Sequence, residues 1–295
     1  MYDIEKIYLA TSVKDAINHL YEEPKSIIIA GGSDVLISVR HGKLAGCSLV
    51  SIYGLDELRG VTLQEDGSIK IGALTSFSHI TKNDIIQKYI PVLGEAVDEI
   101  GGPQLRNIGT IGGNISNGVT SADSASTLFA LNAKLQIEGP DGQRIIPISE
   151  YYVGLGKVSL KDAEILTAIY ITKENYENFK GNYIKYAMRN AMDIATLGCS
   201  VVCKLNAQKD KIEDVRLAYG VAAPIPMRCF KAEEAIKGIG FSDEMFNIFG
   251  ETAKTEVNPR TSWRASKDFR LQLVGELSKR ALKECIKKCG GVING

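Results

Sequence analysis

Between Arg106 and Asp123 the chain reads RNIGTIGGNISNGVTSAD, and no other stretch limits the possible folds as much. Four glycines (109, 112, 113 and 118), three asparagines and four hydroxyl residues interrupt the apolar periodicity that helices and strands require. The reading is a loop that builds no core. Glycine reaches positive φ and lets the backbone approach another molecule, and successive N–H groups in such a turn form an electropositive nest suited to phosphate oxygens. Ser124 to Leu131, SASTLFAL, reads as a helix beginning just past the loop, so its free N–H groups and positive dipole end would face the same anion. The competing reading is a glycine-rich surface loop with no ligand.

A second glycine turn strengthens the ligand reading. Ser26-Ile27-Ile28-Ile29-Ala30 is a short β-branched run, expected to be a buried strand, and it leads into Gly31-Gly32-Ser33-Asp34 before the apolar run resumes at Val35-Leu36-Ile37. Two phosphate-type loops imply a long ligand, a dinucleotide lying across both. Neither loop is a G-x-G-x-x-G fingerprint, and no G-K-[ST] is present.

At 295 residues and 44% hydrophobic content the chain is long enough for two domains, each with a core. Lys+Arg and Asp+Glu are equal at 35 each, which removes the charge footprint of a nucleic-acid or membrane-surface binder. The start, MYDIEKIYLA, lacks a basic n-region and an apolar h-region, and no run approaches the roughly 20 apolar residues of a spanning helix, so a soluble, cytoplasmic chain is expected. Six cysteines (47, 199, 203, 229, 285 and 289) show no C-x-x-C, and they read as reduced packing residues in preference to a four-thiolate metal or iron–sulfur site. His19, His41 and His79 are scattered singly, so hydrolytic triad chemistry has no visible base.

Taken in order, Ser12 caps a helix with Val13, Ala16, Ile17 and Leu20 on one face, and strands follow at 26–30 and 49–52. Segments 61–63 and 69–71 flank Glu65-Asp66-Gly67 as a hairpin, Ser76 caps a short helix, and Pro91 opens another that Gly101-Gly102-Pro103 stops. A second hairpin spans 134–148, and 164–171 is a further strand. Lys173 to Gly181, KENYENFKG, lacks periodicity and is read as the boundary between an α+β domain at 1–175 and a smaller α+β domain at 182–291. The latter has strands at 183–187, 198–205 and 215–221, helices near 230–237 and 242–255, and a long helix at 262–289. Lys185, Arg189 and Asp193 gather charges between apolar neighbours, with an ion-paired edge turn as the plain alternative. The segment at 262–270, with the only tryptophan, reads as a capping or docking element.

With AGGSDVL at 30–36, TIGGNISNG at 110–118, KYAMRNAMDIATLG at 185–198 and TSWRASKDFR at 261–270 in this order, the chain resembles the FAD-binding medium subunits of molybdenum hydroxylases, those of bacterial xanthine dehydrogenases above all. The resemblance covers almost the whole length. It implies a two-part FAD-binding domain of the vanillyl-alcohol-oxidase/p-cresol-methylhydroxylase type, followed by the small C-terminal domain. It further implies noncovalent FAD that takes electrons from 2Fe-2S clusters on a small partner subunit and reduces NAD⁺, the molybdenum cofactor residing on a large partner. By position, Ile28, Ile29, Ala30, Gly31, Gly32, Ser33, Asp34 and Val35 match the family's first flavin loop. Gly109, Thr110, Ile111, Gly112, Gly113 and Asn114 cover the second. Asp123, Ile165 and Lys185 match further flavin contacts, Ile100 stands where animal homologues carry an aromatic over the nucleotide, and Arg189 to Asp193 match the loop where NAD⁺ enters. Lys185 would supply positive charge to the reduced cofactor, which makes Lys185, Arg189 and Asp193 the candidates for catalysis. Ser33 replaces the common Thr, Ile27 replaces a possible Lys, and the cysteine-rich insertion that holds an extra cluster in some relatives is missing. The alternatives are a free-standing flavin reductase or oxidase of the same fold, a flavin subunit serving another heterocycle or CO, and a nucleotide-binding scaffold without flavin.

Overall fold

In the computed structural model, which describes residues 2–293, the chain opens with a parallel three-stranded sheet. Strands β1 (Ile4–Leu9) and β2 (Ile27–Ile29) flank β3 (Cys47–Ser51), and both run parallel to it. Helix α1 (Val13–Glu22) covers one face: the Ser12 hydroxyl accepts from the Asp15 N–H, and Val13, Ala16, Ile17 and Leu20 are buried. β1 escapes the sequence reading because Ile7 and Leu9 are exposed, so its apolar residues do not alternate with burial. β2 is half-buried where a buried strand is expected. The apolar run after it, α2 (Val35–Arg40), is a helix.

The next layer is an antiparallel five-stranded sheet. The expected hairpins form as β4 (Val61–Leu63) with β5 (Ile69–Gly72), and as β6 (Lys134–Gly139) with β7 (Gly142–Pro147). The connection between them is helical: α3 (Phe77–Lys82), α4 (Asp84–Tyr89), α5 (Pro91–Asp98), α6 (Pro103–Ile108), α7 (Ile111–Ser116) and α8 (Asp123–Ala130). After β7 a small hairpin of β8 (Tyr152–Gly154) and β9 (Lys157–Val158) precedes β10 (Ile165–Ile171), which enters the sheet between β5 and β6. Ile71, Leu93, Val97, Leu128, Leu135 and Ile169 are all fully buried in the core between helices and sheet.

Arg144 on β7 grips Glu164 just before β10 through two hydrogen bonds, 2.8 and 2.7 Å. The Arg144 bond is the main reason the Glu164 carboxyl sits below its ordinary range. A carboxylate with a depressed folded pKa stabilises above its unfolded pKa, and that contribution is lost as pH falls through the folded value. Glu164→Gln is therefore expected to cost about 1–2 kcal/mol at neutral pH. Below pH ~4 its urea midpoint should converge on that of the unaltered chain.

The C-terminal part is an antiparallel sheet in the order β11 (Lys180–Tyr186), β12 (Leu197–Leu205), β13 (Ile212–Gly220) and β14 (Met227–Arg228). Helices α9 (Phe230–Ile236), α10 (Asp243–Glu256) and α11 (Lys267–Lys288) pack on it, burying Phe246, Phe249, Leu273, Leu277 and Ala281 against Val201 and Leu217. Helices α10 and α11 cross where Gly250 and Gly275 leave room, since a Cβ on Gly250 would lie 2.7 Å from the Gly275 carbonyl oxygen. The connecting stretch is not a bare polar linker: Tyr176 and Phe179 are buried, and the Arg216 guanidinium lies 4.4 Å over the Phe179 ring. Val202 and Ala218 from this sheet join the core of the preceding layer. Cys199, Cys203, Cys229 and Cys285 are buried among these apolar residues. Among the described residues no helix is long and apolar enough to cross a membrane.

Candidate functional site

The two glycine turns meet. Gly31 leaves β2 so close to the end of α6 that a Cβ there would sit 1.9 Å from the Ile108 carbonyl oxygen and 3.3 Å from the Gly109 nitrogen. Gly32 then takes φ +74°, which turns the chain into α2. Along Gly31, Gly32, Ser33, Asp34 and Val35 no backbone N–H has an acceptor among the described residues; the first to be satisfied is Leu36, which donates to the Gly32 carbonyl at 3.0 Å. A run of unsatisfied donors beside half-buried Ile28, Ile29 and Ala30 has the chemistry to receive an anion. Burial raises the Asp34 carboxyl above its usual range, against a hydrogen bond from Asn117 of the second stretch.

The second glycine stretch works differently from the sequence reading. It is mostly helical, and Ile111 and Ile115 are fully buried, so it does build core. Gly109 has φ −65°, Gly112 and Gly113 lie within α7, and Gly118 alone takes positive φ, +69°. Its N–H groups are largely engaged: Ile111 donates to Thr75 O (3.1 Å), Gly112 to Ala73 O (2.8 Å), Asn114 to Thr110 O (3.0 Å), and Gly113 to the Thr110 hydroxyl (3.2 Å). The glycines serve close packing. A Cβ on Gly109 would meet the Phe77 ring at 2.7 Å, and one on Gly112 would meet the Ala73 Cβ at 2.6 Å. The Ile111–Ile115 spacing of four, behind Thr110 as cap, was the available sign of this helix. At its surface this stretch offers Gly113, which is exposed, and the half-buried Asn114 side chain, whose Oδ1 accepts from the Ser124 hydroxyl at 2.7 Å. The Asn114 Nδ2 donors have no acceptor among the described residues.

Asp123 and Lys185 form a buried pair. Lys185 Nζ lies 2.9 Å from Asp123 Oδ2, with side-chain exposures of 5% and 7%, too little water to support either charge alone. Tyr183 donates to Asp123 Oδ1 at 2.7 Å, and Lys185 also donates to the Glu99 carbonyl at 2.8 Å. Burial raises the Asp123 carboxyl and Lys185 and Tyr183 oppose the rise; Tyr183 itself is pushed up by burial and by Asp123. Lys185 is thus no free cation: it ties β11 to the start of α8 and the end of α5. Sequence reasoning missed Tyr183, although a spacing of two on a strand puts it on the same face as Lys185.

Beyond Lys185 the chain turns at the surface, with residues 188–192 and 194 exposed and Ala195 buried again. Arg189 N–H donates to Asp193 Oδ2 (3.0 Å), Arg189 Nη2 to the Met192 carbonyl (2.9 Å), and Ile194 N–H to Asp193 Oδ1 (2.9 Å). Burial raises the Asp193 carboxyl, but the Ile194 N–H and Arg189 outweigh it and hold the group below its usual range. Met188, Met192 and Ile194 project into solvent, and Met192 lies beside Gly102. Ile100 and Ile165 are buried, the latter in the apolar cluster that also contains Val13 and Leu20. A cavity of about 880 Å³ lies elsewhere, lined by Asp66, Tyr89, Tyr176, Lys204 and Cys289, and includes no residue of either glycine turn.

Two sequence families divide this chain between them. Residues 2–173 match the FAD binding domain in molybdopterin dehydrogenase, and residues 182–285 match the CO dehydrogenase flavoprotein C-terminal domain. The chain therefore belongs to the FAD-binding flavoprotein subunits of the molybdenum hydroxylases, a family of oxidoreductases, and has their two-domain FAD-binding fold. It is 42% identical over 291 residues to the xanthine dehydrogenase FAD-binding subunit of Escherichia coli O157:H7, covering 99% of both chains. It is 30% identical to the glyceraldehyde dehydrogenase medium chain of Sulfolobus acidocaldarius, over 96% of this chain and 99% of that one. A chain of the carbon monoxide dehydrogenase structure from Hydrogenophaga pseudoflava superposes with a TM-score of 0.92 at 27% identity, covering 98% of this chain and 99% of that chain.

Proposed function

We propose that this chain is the FAD-binding electron-transfer subunit of a xanthine dehydrogenase-type molybdenum hydroxylase, with NAD⁺ as its acceptor, and that its parts divide as 1–175 and 182–291. The observation that carries the reading is the row of unsatisfied N–H groups from Gly31 to Val35, held against the second glycine stretch by the Gly31–Ile108 contact. That row fits a pyrophosphate, and the free Asn114 amide donors on the adjoining second stretch add to it. Bound FAD would supply the exchange between single electrons arriving from iron–sulfur clusters on a small partner and hydride leaving to NAD⁺, the molybdenum cofactor sitting on a large partner.

This chain's own residues bind and orient. The Asp123–Lys185 pair fixes the end of β11, and the Arg189–Asp193 turn that continues from it holds the entry for the nicotinamide. Met188, Met192 and Ile194 present apolar surface around that entry. Because the crevice is made of N–H donors and small residues, the cofactor is held noncovalently. Acid precipitation should leave the yellow colour in the supernatant; colour retained by the pellet would contradict this.

Anaerobic mixing of the flavin-loaded chain with NADH tests the acceptor. Bleaching of the flavin is expected without any partner, and Asp193→Ala should slow it about tenfold, ~1.4 kcal/mol of barrier. Absence of bleaching would remove NAD⁺, and an unchanged rate in the variant would remove Asp193 from the reaction.

A further inference from the structure

The segment from Asn258 to Arg270 carries three arginines that form no ion pair among the described residues, Asp268 of the same segment included. Arg270 is among the largest fully buried side chains, and its guanidinium is held by neutral groups: Nη1 donates to the Thr196 carbonyl at 3.0 Å and Nη2 to the Ser262 hydroxyl at 2.9 Å. Its Nε, and that of Arg264, are buried with no partner in the protein. Among the described residues no ion pair involves Arg260, Arg264 or Arg270, whereas other buried or half-buried arginines such as Arg144 and Arg228 have a glutamate. Burial lowers the Arg270 pKa, and Arg260 and Arg264 lower it further, so the three positive charges feel one another. Concentrated positive charge with buried, unused donors is costly unless an anion completes it.

The cluster has a platform. Ser262 N–H bonds the Ala265 carbonyl at 3.0 Å, and the Ser262 hydroxyl also accepts from the Arg264 N–H at 3.3 Å, which makes a tight turn with Trp263 near its tip. Trp263 is 76% exposed, with the Arg264 guanidinium 4.2 Å from its ring centre. An indole kept in water beside unpaired guanidinium groups suits a purine base attached to phosphates, the base on the ring and bidentate N–H forks on the oxygens. The cluster also adjoins the proposed nicotinamide entry: Arg270 binds Thr196 at the end of the turn that follows Lys185, and Phe269 packs edge-on against Tyr186 at 5.7 Å.

We propose that Trp263, with Arg260 and Arg264, binds the adenine-nucleotide half of the nicotinamide dinucleotide, while the buried Arg270 holds the turn that presents them through Thr196 and Ser262; the proposal rests on the NAD⁺ reading above. Trp263 is the only tryptophan in the chain, so its fluorescence reports on the site directly. The test is titration of the flavin-loaded chain with ADP-ribose, its own FAD already filling the other nucleotide site. Saturable quenching is expected, weakened about tenfold by Arg264→Gln and by Arg260→Gln, and competed by inorganic phosphate. These variants alter the more accessible arginines, so the test does not depend on a chain lacking Arg270 folding. No saturable quenching, or equal affinity in Arg264→Gln, would overturn the proposal, as would quenching produced by the partner subunits and not by ADP-ribose. Quenching needs no electron transfer. Quenching without bleaching by NADH would therefore defeat the acceptor reading alone, and bleaching without quenching would defeat this one alone.

Discussion

Gly31→Val should purify without flavin. The Cβ that valine adds would be placed 1.9 Å from the Ile108 carbonyl oxygen, a backbone atom that cannot swing aside as a flexible side chain would. The two glycine stretches would have to part, which carries the free N–H groups of residues 31–35 out of register with Asn114. The overpacking is expected to cost about 1–3 kcal/mol of stability, which a domain of this size survives. FAD affinity should fall by a hundredfold or more, ~2.7 kcal/mol. Gly113→Ala is a milder change in the second stretch: the position is exposed and its new Cβ would meet the Thr110 hydroxyl alone, at 2.9 Å, so the loss of flavin should be far smaller than in Gly31→Val. Gly112→Val would instead strike Ala73 and strain the fold, so loss of flavin there would carry less meaning. Full FAD occupancy in folded Gly31→Val, measured as released flavin per chain, would remove the first turn as the phosphate cradle.

The second large effect is expected at the buried pair. Lys185→Met leaves the Asp123 carboxylate in an almost dry site with Tyr183 as its remaining side-chain donor, and breaking such a pair costs about 3–5 kcal/mol. Adding Asp123→Asn removes the stranded charge, so the double variant should recover a large part of the loss. Urea midpoints of the two variants measure this. A loss under about 1 kcal/mol for Lys185→Met would mean that the pair is solvated in solution, as surface pairs are.

Where periodicity and capping act locally, the sequence was legible. Ser12, Ser76 and Pro91 mark helix starts that the structure confirms, and both hairpins of the five-stranded sheet lie where their Gly-containing turns put them. β1 was hidden because its exposed Ile7 and Leu9 blur the alternation, and α7 because glycine masks a helix whose N–H groups find Ala73 and Thr75 across the fold. That tertiary partnering also decides which glycine turn keeps its donors free, so the two turns read alike in sequence and differ in chemistry. Likewise Lys185 reads as a loose cation until β11 brings it to Asp123, 62 residues away. The arginines at 260, 264 and 270 are plain in the sequence, but that none of them finds an ion pair among the described residues is a property of the fold.

The central claim is that electrons enter this chain from a partner and leave it through FAD. Its most direct test is anaerobic addition of a purine substrate to the flavin-loaded chain alone and to the chain assembled with its molybdenum and iron–sulfur partners. The flavin should bleach in the assembly and stay oxidised in the isolated chain; bleaching by the purine without any partner would contradict the relay.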